Sequence, residues 1–175
     1  MGTQTQRAAR RRDEGSVATE ILEAGAVAGL IAGVAMVLVA MTYASAIGIG
    51  LWRPLKAVAA TFVGTSAYAM GPRAVLIGVA IHIFTSVAVG ILFAFVVPRD
   101  VSLVPALALG ALAGVAVLVV LNIVVLPTSD WTGGERRHLL WGNIPGAMPL
   151  PMAFVVHLIY GAGIGLAPSL RRRFG

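Results

Sequence analysis

From Ala74 to Pro98 the chain runs for a whole bilayer thickness without a charged side chain. A hydrocarbon core about 30 Å thick is crossed by roughly 20 helical residues, so this run is long enough to span with some tilt. Inside hydrocarbon every backbone N–H and C=O must find a partner within the protein, which leaves only helices and closed barrels. Barrel strands alternate apolar and polar residues, whereas here the apolar residues come in unbroken blocks. An all-α integral membrane protein is therefore predicted. Composition agrees, since 11% of the 175 residues are charged against about 25% in soluble domains. The chain has no cysteine, which removes disulfides, iron–sulfur clusters, thiolate metal sites and cysteine nucleophiles.

Three more apolar blocks accompany the first, and the expected fold is a four-helix bundle. Spans are predicted over 21–51, 73–97, 103–126 and 152–168, together forming a transmembrane domain over 20–168. A disordered basic arm is expected over 1–19 and a basic tail over 169–175. The block from Ile21 far exceeds the apolar core of a signal peptide, about 7–15 residues, so it is read as a retained span. The stretch 52–72 is too short to cross and is expected to be interfacial or re-entrant. An outer loop is expected over 127–151. The Pro98–Ser102 turn is short, so the third span is expected to return directly alongside the second.

With four spans, both ends of the chain and the Pro98–Ser102 turn share one side. That side carries Arg7, Arg10, Arg11, Arg12, Arg99, Arg171, Arg172 and Arg173. The other carries Arg53, Lys56, Arg73, Arg136 and Arg137. Basic residues are retained on the cytoplasmic side, so both ends are expected in the cytoplasm, with the protein in a bacterial inner membrane. The same charges need no nucleic-acid partner to explain them.

Small residues recur at helical spacing. Gly25, Gly29 and Gly33 line the first span, Gly78 and Gly90 the second, Gly110 and Gly114 the third, and Gly161 and Gly165 the fourth. Residues four apart share a helix face, and small ones let backbones approach closely. The pattern also repeats. Gly29/Gly33 return as Gly110/Gly114, 81 residues later, and His82 with Gly90 returns as His157 with Gly165, 75 later. A duplicated helical hairpin would give this echo, and so would the small-residue bias of membrane helices.

Polar side chains are few, and they fall at similar depth. At 1.5 Å per residue, His82 lies roughly 13 Å below Arg73, His157 roughly 9 Å below Pro151, Asn122 roughly 8 Å from Pro127 and Tyr43 roughly 15 Å from Arg53. Together with Ser86 they are expected to face inward as one intramembrane cluster, because facing lipid would lose their hydrogen bonds. The plainest role for such a cluster is to pin helices together. A sharper one is a haem b or transition-metal redox centre held by His82 and His157, since imidazole is a common donor for both. A proton or small-solute pathway through the same two histidines is a further alternative, although no Asp, Glu, Lys or Arg lies mid-span. Asp130, Glu135 and His138 lack a nucleophile at suitable spacing, and neither HExxH nor G-x-S-x-G occurs. No catalytic residue is therefore assigned.

The residues His82, Phe84, Ser86 and Gly90, then Leu112-Ala113-Gly114, Pro127, Trp131, Asn143 and His157, resemble small bacterial inner-membrane proteins of the YagU type and similar four-span proteins of unknown function. That resemblance implies a four-helix inner-membrane protein and brings no chemistry with it. The expected function is non-enzymatic: an accessory or structural subunit whose partners are the bilayer, other membrane subunits or itself. Its motive is the number of glycine faces, more than one four-helix bundle needs. No resident cofactor is predicted beyond the haem or metal alternative.

Overall fold

A computed structural model describes the backbone of residues 2–125 and 148–174, and the side chains of 15–124 and 148–174. Most of the outer-loop reading, with Trp131, His138 and Asn143, lies outside the described residues. Within them the protein is all helix, and four helices are long and apolar enough to cross a membrane: Gly15–Ala46, Pro72–Val96, Leu103–Val124 and Leu150–Phe174.

Helix α1 runs Gly2–Ala46. The arm expected to be disordered is thus drawn into the helix. Nothing breaks it there, because Gly2 to Ala46 holds no proline and Ala8, Ala9 and the arginines are strong helix formers. It stops short of Leu51, where Gly48 and Gly50 take φ of 76° and 100°, a conformation open mainly to glycine. Helix α2, Arg53–Val63, begins with Pro54 in its first turn and passes through a 3₁₀ turn, Gly64–Tyr68. Lys56 Nζ donates to the Tyr68 carbonyl at 3.3 Å, and the Arg53 guanidinium lies 3.7 Å from the Tyr68 ring centre.

Helix α3, Pro72–Val96, is the charge-free run with proline at its first position. Pro98 ends it by holding Val97 extended, at ψ 123°. Helix α4, Leu103–Val120, widens into a π-helical turn, Leu121–Val125. Helix α5, Leu150–Ile164, is followed after a two-residue break by α6, Ala167–Phe174. Pro168 explains the break, since it has no N–H to offer the Ile164 carbonyl. The predicted basic tail is therefore a helix, with Arg171 only 7% exposed.

Helix α1 is the hub. It packs against α3 and α5, while α2 lies on α3 and α4 lies on α5. The third span does not return alongside the second: α3 and α4 share little direct contact despite their short turn. The reason is that α5 offers α4 a glycine face and α3 has already given its own to α1. The core joins Ala28 and Ala32 of α1, Phe93, Ala94 and Val97 at the end of α3, and Tyr160, Ile164 and Ala167. A smaller alanine core, Ala59, Ala60, Ala67 and Ala74, lies under α2.

The glycine contacts fix the register. A Cβ on Gly29 would strike the Ser86 carbonyl, and one on Gly90 the Gly25 carbonyl; Gly33 sits beside Ser86 and His82. In the other pair, Gly110 meets the Gly161 carbonyl, Gly165 the Ala106 carbonyl, and Gly114 lies beside Gly161 and the His157 backbone. Adding 81 to the α1 numbers and 75 to the α3 numbers turns the first set into the second. The match extends to positions whose side chains differ, Ser86 against Gly161 and Gly25 against Ala106. The two helix pairs therefore pack with one register, as small-residue faces at four-residue spacing allow.

Candidate functional site

Three of the polar residues singled out in the spans, His82, Asn122 and His157, reach main-chain carbonyls. The His82 Nε2–H of α3 donates across to the Gly33 carbonyl of α1 at 2.9 Å. The Tyr160 hydroxyl of α5 donates to the Ser86 carbonyl of α3 at 2.8 Å. His157 Nδ1–H and Asn122 Nδ2–H turn back onto their own helices, to Ala153 at 2.7 Å and Leu118 at 2.8 Å. Ser86, Asn122 and His157 are buried, and His82 is half-buried. Tyr43 stands apart, half-buried along a shallow groove with Leu38, Val39, Thr42 and Met152.

Two of these bonds tie helices together, which is the pinning role. Each contributes roughly 0.6–2 kcal/mol in a membrane. Tyr160→Phe should accordingly lower the unfolding free energy in detergent by about 1 kcal/mol, leaving the oligomeric state unchanged. A larger loss would mean that the hydroxyl holds more than the Ser86 carbonyl. Tyr160 was legible only as part of the echo around His157. Its spacing, three residues beyond a buried histidine on the same face, is the signal that could have found it.

Because a carbonyl only accepts, each hydrogen bond fixes a tautomer: His82 Nδ1 and His157 Nε2 keep the lone pairs. Among the described residues no group of three or more His, Asp or Glu is placed to hold a metal ion. All nine glycines of the predicted packing faces meet atoms of this same chain. They are not spare surface for a partner.

A second polar centre lies at the end of the bundle where the head of the first span meets α6. Glu20 at the head of the first span and Arg171 of α6 are each buried and pair at 2.9 Å. Arg171 also donates to the carbonyls of Ala94 and Val97, at 3.0 and 3.1 Å, satisfying the open end of α3. Arg99, more exposed, reaches the other Glu20 oxygen at 3.4 Å. Arg172 donates to the Arg99 and Val101 carbonyls and to Ser169. In the sequence these arginines have an ordinary explanation as orientation-setting charges. Their meeting had one available signal, an acid opening the first apolar run and a base just past the last.

Four apolar helices, crossing in alternate directions and locked by backbone-directed side chains, define a multi-pass helical membrane protein. No protein-family model matches the chain, and comparison with curated proteins and with solved structures finds no similar one.

Proposed function

We propose that the chain is a non-enzymatic structural subunit of an assembly in a bacterial inner membrane, with both chain ends in the cytoplasm. The observation that carries this reading is the division of its surfaces. Polar side chains are occupied in holding helices, while α3 and α4 turn large apolar side chains outward, Phe84 74% exposed, Phe95 71% and Val104 76%. Broad exposed apolar faces mark lipid or protein contact. The orientation rests on the excess of basic residues at the Arg171 end, and the YagU-type resemblance points to the same setting.

A second reading, a haem b or metal redox protein, draws on His157. A buried imidazole whose Nδ1–H is held by a carbonyl is oriented in the way metal-ligating histidines usually are, with Nε2 available. Purification in mild detergent separates the two. The structural reading expects a colourless, metal-free protein that leaves the membrane in a complex larger than one chain. A Soret band or stoichiometric metal abolished by His157→Ala would install the redox reading, and a solitary colourless monomer would end both.

A further inference from the structure

The turn that joins α3 to α4 is held from outside by arginines. Arg171 is spent on Glu20 and on the open carbonyls at the end of α3. Arg172 donates to the Arg99 and Val101 carbonyls and to the Ser169 hydroxyl. Those three acceptors fix its guanidinium on the turn, yet the residue remains exposed. Arg99 gives one nitrogen to Glu20 at 3.4 Å and keeps a side chain 59% exposed. Because Arg172 bonds the backbone of Arg99 itself, two exposed cations sit on one short turn. The acids at this end besides Glu20 are Asp100 on the turn and Glu23 on α1, both exposed.

Apolar surface begins at once on both sides of these cations. Phe95 and Val96, 71% and 68% exposed, come just before the turn, and Leu103 and Val104, 45% and 76% exposed, just after it. Helices α3 and α4 barely touch, so these side chains flank the turn and do not cover one another. An anion held by the two guanidiniums therefore has apolar side chains within about one helical turn of it. A free anion uses only the charged part of this surface. A phospholipid uses both parts, its headgroup on the arginines and its acyl chains on the apolar flanks.

We propose that the α3–α4 turn binds an anionic phospholipid, with the headgroup phosphate on Arg99 and Arg172 and the acyl chains along Phe95, Val96 and Val104. Guanidinium–phosphate pairs are charge-assisted and can be bidentate, and they are strongest where no second cation competes. A zwitterionic headgroup carries its own ammonium and gains less from the same arginines. The inference goes beyond the structural-subunit reading and does not depend on it, since a solitary chain would hold the lipid equally well.

The test takes the full chain in a neutral detergent and adds phosphatidylglycerol, phosphatidylcholine or inorganic phosphate. Bound lipid is counted by native mass spectrometry, and stability is read as the melting temperature. Phosphatidylglycerol should be retained and should raise the melting temperature, while phosphatidylcholine and inorganic phosphate should do neither. One basic residue at a membrane surface is worth about five-fold in affinity. Arg99→Gln, at an exposed site that tolerates change, should therefore bind phosphatidylglycerol about five-fold more weakly, and Arg99→Gln with Arg172→Gln about thirty-fold. Arg99→Lys with Arg172→Lys keeps both charges and should lose less than the glutamine pair. Equal retention of phosphatidylcholine would overturn the proposal by reducing the site to acyl packing. Stabilisation by inorganic phosphate alone would replace the lipid with a free anion. Undiminished binding by Arg99→Gln would place the headgroup elsewhere, and that single variant decides the matter should the glutamine pair fail to fold.

Discussion

Arg171→Ala should destabilise the protein by about 3–5 kcal/mol, the range for breaking one side of a buried ion pair. The substitution leaves the Glu20 carboxylate, only 5% exposed, without its 2.9 Å partner, and it strips the Ala94 and Val97 carbonyls of their donor. A lowered melting temperature in mild detergent is the measurement. Removing both charges, as Glu20→Gln with Arg171→Met, should recover much of the loss, because two neutral side chains leave no uncompensated charge behind. Arg99→Ala serves as the contrast. Its side chain is 59% exposed and its contact 3.4 Å long, so water already screens it and about 1 kcal/mol or less is expected. Equal effects from Arg99 and Arg171 would contradict the buried pairing described for this end.

Gly110→Val and Gly29→Val should each cost about 3 kcal/mol, the upper part of the overpacking range. At both positions the added Cβ would meet a backbone carbonyl, Gly161 for one and Ser86 for the other. A backbone atom in a helix cannot step aside as a flexible side chain can, so the helices themselves must separate. Gly15→Val is the control, with nothing within 4 Å of the added atom and an effect within about 0.5 kcal/mol. Thermal unfolding of the three variants also tests the duplication. Equivalent positions in equivalent pairs should lose similar stability, and a large inequality between Gly29 and Gly110 would show that the registers only look alike.

Much of this fold can be read from the residues. The run from Ala74 to Pro98 had to be a helix, and glycines at four-residue spacing had to lie on one packing face. Which face met which was not legible. Short turns usually join neighbours, yet the six residues from Val97 to Ser102 join helices that barely touch, because glycine complementarity outweighed sequence proximity. The interior residues His82, His157, Asn122 and Ser86 were legible as polar groups needing partners. Their partners were not, since a carbonyl is present at every position and leaves no mark in sequence. The Glu20–Arg171 pair was hidden for another reason: charges at the ends of spans have an ordinary explanation in topology, which conceals a buried bond between residues 151 positions apart.

The neglect of α3 by α4 bears on how the molecule is put together in the membrane. Helix α3 can settle on α1 as soon as both are inserted. Helix α4 comes next in the chain and has no comparable surface to settle on until α5 follows. It must wait in lipid as a lone rod, with Gly110 and Gly114 uncovered. The arrival of α5 then does three jobs at once: it clasps α4, wedges Tyr160 beside α3, and brings Arg171 to Glu20. Assembly closes like a zip whose slider is the last helix pair, and a chain cut before Leu150 would leave α4 adrift.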